Sequence, residues 1–174
     1  MNLLKFNKIY LISILLAVIT FPFVDSQAAS TTITLTVAGG GLSISAPASG
    51  TFGTVASPSD AIFEMGAVTV TDARGASAGA SWTATASITA LTHSDGVTTI
   101  PATLFRYTAG IPTKTGTVTL TELATTAFDS AASVVSATLI TGNNSAVWTP
   151  LISIPVPSGT PTGTYTGTIT HSVS

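Results

Sequence analysis

The feature that most constrains this chain is the alternation of threonine with aliphatic residues at every second position. The alternation runs through residues 31–37 and recurs in residues 81–89, 117–121 and 164–170. Threonine, valine and isoleucine are β-branched, which restricts χ1 and suits the pleated surface of a strand. An apolar residue at every second position gives a strand one buried face and one solvent-facing face. The pattern therefore predicts strands whose hydroxyl-bearing side chains point outward.

Short stretches of turn-forming residues separate these segments, among them residues 39–41, 57–60, 94–96, 142–144 and 157–159. No segment shows a sustained helical period with caps, and only residues 122–133 could form a short helical turn. About eight or nine short strands fit an antiparallel two-sheet β-sandwich with Ig-like or Greek-key wiring. We therefore predict an all-β chain with one domain over residues 29–174.

The first 28 residues have the composition of a secretory signal peptide. Lys5 and Lys8 precede the apolar residues 9–19, and Ser26-Gln27-Ala28 supplies the small residues of a cleavage site. An uncleaved membrane anchor is the alternative, and the cleavage site favours removal. No later stretch reaches the roughly 18 apolar residues of a membrane helix. We expect a secreted, extracellular chain with no contact to the membrane after cleavage.

The composition excludes several classes of function. Charged residues make up 7% of the chain, against about 25% in ordinary soluble domains, so a nucleic-acid partner is excluded. The chain has no cysteine, which rules out disulfides and thiol chemistry. Neither histidine has a second ligand at a metal-like spacing, and no nucleophile motif surrounds a serine. We expect no metal and no cofactor, and we predict that the chain is not an enzyme.

One group of side chains could form a binding site. On a strand through residues 68–75, Asp72 and Arg74 lie on the same face, about 7 Å apart along the chain. Either they form an ion pair at the rim of the core, or they bind a polar ligand together with Trp82. Trp82 and Tyr165 share their strand faces with apolar neighbours, so each is either a core residue or an exposed ring for stacking on sugars.

These residues also resemble a known pattern. Asp72-Ala73-Arg74-Gly75 precedes Trp82-Thr83-Ala84, the terminus reads Tyr165-Thr-Gly-Thr-Ile169-Thr170-His171, and Phe52-Gly53-Thr54-Val55 lies earlier. In this order the chain is similar to the WxL-domain family of exported Gram-positive proteins. It departs from that pattern at Ala84 and Val173, which stand for leucine, and at His171, which stands for tryptophan.

The resemblance implies non-covalent attachment to the cell wall through a peptidoglycan-type polymer. On that basis Asp72, Arg74, Trp82, Tyr165 and His171 are the candidate ligand-binding residues, and other exported surface proteins or a second copy are possible partners. A rival likeness is to pilin and coat subunits, which share strands between copies. In that alternative the chain is a structural subunit, and the alternating segment of residues 31–37 is the donated strand.

The low charge has a structural consequence as well. Charged residues usually protect the open edges of sheets from pairing with other chains. Because they are scarce here, we expect prolines such as Pro155 and Pro157, or a partner, to cover an edge.

Overall fold

The computed structural model describes residues 32–123 and 130–174. The predicted signal peptide lies outside the described residues, as does the middle of the helical turn predicted for residues 122–133. Both ends of that turn belong to strands instead. No helix in the described part of the chain is long and apolar enough to span a membrane.

The described chain is built from strands and one turn of 3₁₀ helix, Ala102–Leu104. The strands are β1 Leu42–Ser45, β2 Ser59–Glu64, β3 Val68–Ile88, β4 Leu91–His93, β5 Thr99–Ile100, β6 Arg106–Thr108, β7 Thr113–Glu122, β8 Ala132–Trp148, β9 Leu151–Val156, β10 Tyr165–Thr166 and β11 Ile169–Val173. Every strand pair is antiparallel. The prediction of an all-β, antiparallel sandwich is confirmed, while its Ig-like or Greek-key wiring stays a prediction.

The strands form three sheets. The largest has five strands in the order β1-β3-β8-β7, with β11 also paired to β3. β1 pairs with the first part of β3 and β11 with the last part, so both lie on the same side of that long strand. The second sheet has the order β2-β9-β6 and the third β10-β4-β5.

The hydrophobic core is formed by alternate residues of the long strands, as the period-two pattern predicts. On β3, buried residues recur at every second position at both ends, and β8 and β9 contribute further buried aliphatic residues. The largest fully buried side chains are Trp82, Trp148, Tyr107, Phe105, Ile140, Ile152 and Ile154. Burying such side chains is worth about 1.5–3 kcal/mol each, so the core stabilises the fold wherever β3, β8 and β9 meet.

The prediction of a strand in residues 31–37 is wrong for the described residues 32–37. None of them is in a strand, and Ile33, Leu35 and Val37 are 88%, 85% and 83% exposed. Alternation shows only that a segment could pair, because a strand also needs a neighbour for its backbone N–H and C=O groups. The first strand begins at Leu42, where pairing with β3 begins. Val37–Ser174 form one compact unit.

Candidate functional site

Asp72 and Arg74 form the ion pair that their spacing predicts. Arg74 Nε donates to Asp72 Oδ1 at 2.8 Å, and Arg74 Nη2 donates to Oδ2 at 3.0 Å. The backbone N–H of Arg74 also donates to Oδ1, at 3.1 Å. These bonds, the side-chain bonds above all, hold the pKa of the Asp72 carboxyl at about 2. The Asp72 side chain is fully buried, whereas that of Arg74 is 36% exposed.

Asn144 connects this ion pair to Trp82. It lies opposite Asp72 in the β3–β8 register, and its Nδ2 donates to Asp72 Oδ2 at 3.0 Å. Its Oδ1 accepts from Trp82 Nε1 at 3.2 Å. Arg74, Asp72, Asn144 and Trp82 therefore form one hydrogen-bonded chain, which we call the Asp72 network. Within the described residues, no buried side-chain N or O atom lacks a hydrogen-bond partner.

The burial of the Asp72 network indicates a structural role. Trp82 is 2% exposed and Asn144 is also buried, so neither ring face of Trp82 can stack on an external ligand. Sequence reasoning missed Asn144 because it assigned residues 142–144 to a turn. They lie inside β8, where the pairing with β3 shifts register after Asp72. The available signal in the sequence was that strand segments continue on both sides of Gly142-Asn143-Asn144. A β-bulge can accommodate turn-type residues within a continuous strand.

His171 is half-buried and belongs to a second cluster, whose other members, Tyr107 and Trp148, are buried. Its Nε2 lies 3.1 Å from the Tyr107 hydroxyl, and Trp148 Nε1 donates to that same hydroxyl at 2.9 Å. Burial lowers the pKa of His171 and raises the pKa of Tyr107 to about 12. Both groups are therefore neutral near pH 7, and the imidazole is held as an uncharged polar ring.

Tyr165 lies in a third place, beside His93. The two residues are opposite each other in the β10–β4 pair, and their ring centroids are 4.9 Å apart. The Tyr165 hydroxyl donates to the Pro161 carbonyl at 3.1 Å. Gly163 lies close to the His93 ring, because a Cβ there would lie 1.9 Å from His93 Nε2, and its φ is +153°. The position of the Tyr165 ring is thus fixed by His93 and Pro161.

A cleft of about 870 Å³ brings Tyr165 and His171 together. Its walls come from residues 46–57, from β2 and β9, and from residues 160–171. Phe52 and Phe63 also line it, and their rings meet edge to face at 5.5 Å between centroids. The chain comes close here, since a Cβ on Gly50 would lie 2.0 Å from Phe63 Cζ. This size is typical of a ligand-binding cleft.

The chemistry of the cleft is uncharged. No Asp, Glu, Lys or Arg is among the described residues that line it. Its polar side chains are hydroxyls and the His171 imidazole, with the hydroxyls supplied by Ser49, Thr51, Thr54, Ser57, Thr160, Thr162, Thr164, Tyr165, Thr166 and Thr168. Its apolar walls combine aromatic rings with aliphatic core residues such as Ile88 and Ile154.

The five residues named from the sequence therefore fall into two groups. Tyr165 and His171 share the cleft, whereas Asp72, Arg74 and Trp82 form the Asp72 network and do not line it. Among the described residues there is no group of three His, Cys, Asp or Glu side chains that could hold a metal ion. Comparison of the chain with protein-family models, with curated proteins and with solved structures found no match.

Proposed function

We propose that this chain is an exported, non-enzymatic surface protein that associates non-covalently with the bacterial cell wall through the cleft. The observation that carries the proposal is that Tyr165 and His171 line one open cleft. Both are residues for which the resemblance to WxL domains implies wall attachment.

The lining of the cleft favours a neutral glycan strand of a peptidoglycan-type polymer. Sugars present apolar C–H faces and a rim of hydroxyls, which match aromatic ring faces and hydrogen-bonding hydroxyls. An anionic wall polymer would need cations at the site, because a charge removed from water must be paired. The described lining offers none. An uncharged polymer therefore suits the cleft better than an anionic one.

In this proposal the Asp72 network acts at a distance from the polymer. Its bonds fasten β3 to β8, and β3 also pairs with β11, the strand that carries His171. Tyr107 and Trp148 hold the His171 ring at the wall of the cleft. Rigid supporting groups of this kind reduce the entropy lost when a ligand binds.

Sedimentation with washed cell walls tests the proposal. We expect the chain from residue 29 onward to pellet with the walls, and Tyr165→Ala to stay in the supernatant because it removes a ring from the cleft. Tyr165→Phe keeps the ring and should pellet, while Ile111→Ala is the matched control, since Ile111 is 89% exposed and does not line the cleft. Walls stripped of anionic polymers should retain the protein equally well. Full recovery of the unmodified chain in the supernatant contradicts the proposal.

A second candidate function is that of a structural subunit joined by strand complementation. The observation that favours it is the exposed apolar face of Ile33, Leu35 and Val37, which alternates with threonine as a donated strand would. Deleting residues 29–38 should then abolish assembly into fibres. Assembly that survives the deletion rules this candidate out.

A further inference from the structure

The open edges of the sheets are protected unequally. β2, an edge strand, carries Asp60 and Glu64, and charged residues discourage pairing with other chains. β1 and β6, which also lie at edges, have only four and three residues. β9 pairs with β6 through residues 151–153. Pro155 lies just beyond that stretch, where one side of β9 is open and the strand can accommodate a proline. This agrees with the expectation that prolines protect an edge.

β7 is protected less fully, because its two charged residues, Lys114 and Glu122, lie near its ends, although its pairing with β8 is irregular between Thr115 and Thr119. It is ten residues long and ends the five-stranded sheet, with β8 as its neighbour on one side among the described strands. Between Lys114 and Glu122 it has neither a charge nor a proline. Thr117, Thr119 and Thr121 are exposed on one face. A long, threonine-rich edge of this kind is a template for another strand.

We propose that β7 pairs antiparallel with β7 of a second copy of this chain, joining the two five-stranded sheets across a two-fold axis. In the register we propose, Val118 lies opposite Val118 of the second copy. Lys114 then lies opposite Glu122 at both ends of the paired strands. The occupant of this edge is therefore the same edge of an identical chain, as an isologous interface requires.

The distribution of charge along β7 selects this arrangement. A parallel pairing would set Lys114 beside Lys114 and Glu122 beside Glu122, and like charges directly opposite each other are destabilising. The antiparallel register instead places Thr117 opposite Thr119 and the small Gly116 opposite Leu120. Cross-strand threonine pairs and opposite charges both stabilise a sheet.

Both charged groups are able to make the new contact. Lys114 Nζ donates to the Val118 carbonyl within its own chain, but an ammonium has three donors. One carboxylate oxygen of Glu122, Oε1, accepts from the Gly110 N–H at 3.1 Å. The two side chains of one copy are eight residues apart, about 27 Å along a strand, so they cannot pair with each other.

Sedimentation velocity at up to about 1 mM protein tests the proposal, since an edge of ten residues buries a small area and forms a weak dimer. We expect a reversible dimer that Lys114→Glu and Glu122→Lys each weaken about tenfold, because each change sets two like-charge pairs opposite one another. The double variant K114E/E122K should recover the dimer. That variant loses both intrachain bonds, so only pairing between copies explains recovery.

Engineered cysteines test the register, and the native chain adds no background because it has no cysteine. A mixture of Thr117→Cys and Thr119→Cys copies should form a disulfide between unlike copies under mild oxidation. Either variant alone should form far less. A disulfide formed by Thr119→Cys alone overturns the register.

The other possible outcomes also test the proposed β7–β7 dimer. A monomer throughout the concentration range overturns the proposal, as does a double variant that stays as weak as the single ones. Deleting residues 29–38 should leave the dimer intact. A dimer lost on that deletion but insensitive to Lys114→Glu shows that the N-terminal segment is the pairing element instead. Cell-wall sedimentation is measured separately, so its failure does not affect this result.

Discussion

Substitution of Trp82 tests whether this residue has a structural role or binds a ligand. The indole is 2% exposed and its N–H donates to the buried Asn144 Oδ1 at 3.2 Å. Trp82→Phe keeps most of the apolar ring but removes the donor. Leaving a buried acceptor without its partner costs about 1–3 kcal/mol of unfolding free energy. Trp82→Ala also opens a cavity, which raises the expected loss to about 3–5 kcal/mol.

Urea denaturation followed by fluorescence measures both losses. The chain has two tryptophans, so Trp148 is the single reporter in either variant. Trp148 is buried next to Tyr107, and its emission should shift when the core opens. Ile111→Ala is the control, because changes at exposed positions usually stay within about 0.5 kcal/mol.

Two results would refute this reasoning. A Trp82→Phe variant as stable as the unmodified chain would show that the bond to Asn144 contributes nothing. A Trp82→Phe variant that folds normally but no longer sediments with cell walls would place the polymer at the Asp72 network instead of the cleft. We expect that variant to lose stability and to keep its binding to walls.

Three further predictions concern pH and packing. The pKa of Asp72 is depressed from 3.8 to about 2, so the ion pair with Arg74 stabilises the fold fully above about pH 4. That stability, about 2 kcal/mol at most, is lost as the pH falls toward 2, and urea midpoints for Asp72→Asn should lack this dependence. Because burial lowers the pKa of His171, stability should also fall as the pH drops below about 6.5, and His171→Gln should abolish that decline. Gly50→Ala places a Cβ against the Phe63 ring, so we expect a loss of about 1–3 kcal/mol in thermal denaturation together with weaker wall binding. A Gly50→Ala variant with unchanged stability and binding would contradict that packing.

Some of the strands were predictable from the sequence because the relevant pattern is local, whereas the alternating residues 164–170 are divided between β10 and β11. Alternation within residues 81–88 and 117–121 matches β3 and β7, since the side-chain period of a strand is a property of its own backbone. The same rule fails at residues 32–37, because pairing depends on a neighbour that the pattern does not contain. It also fails at Gly142-Asn143-Asn144, where a shift in the β3–β8 register lets turn-type residues lie within a strand.

The contacts of the candidate site were predictable only between residues that are close in sequence. Asp72 and Arg74 are two residues apart on one strand, so their contact follows from strand geometry alone. The Asn144 contacts span 72 and 62 residues, and the bond between Tyr107 and His171 spans 64. Such contacts depend on which strands pair and in which register, and no feature of a single segment encodes that.

The scarcity of charge has opposite consequences in two parts of the molecule. In the cleft it removes the desolvation cost that a charged lining would impose on an uncharged polymer, so hydroxyls and rings can contact sugar directly. Along β7 it leaves ten residues of sheet edge with charges only near the two ends. If the low charge mattered only for binding in the cleft, lysines could replace the exposed threonines of β7 with no loss of function. We therefore expect that Thr119→Lys leaves cell-wall binding unchanged in dilute solution and abolishes the dimer, whereas loss of wall binding in that variant would mean that the edge itself contacts the wall.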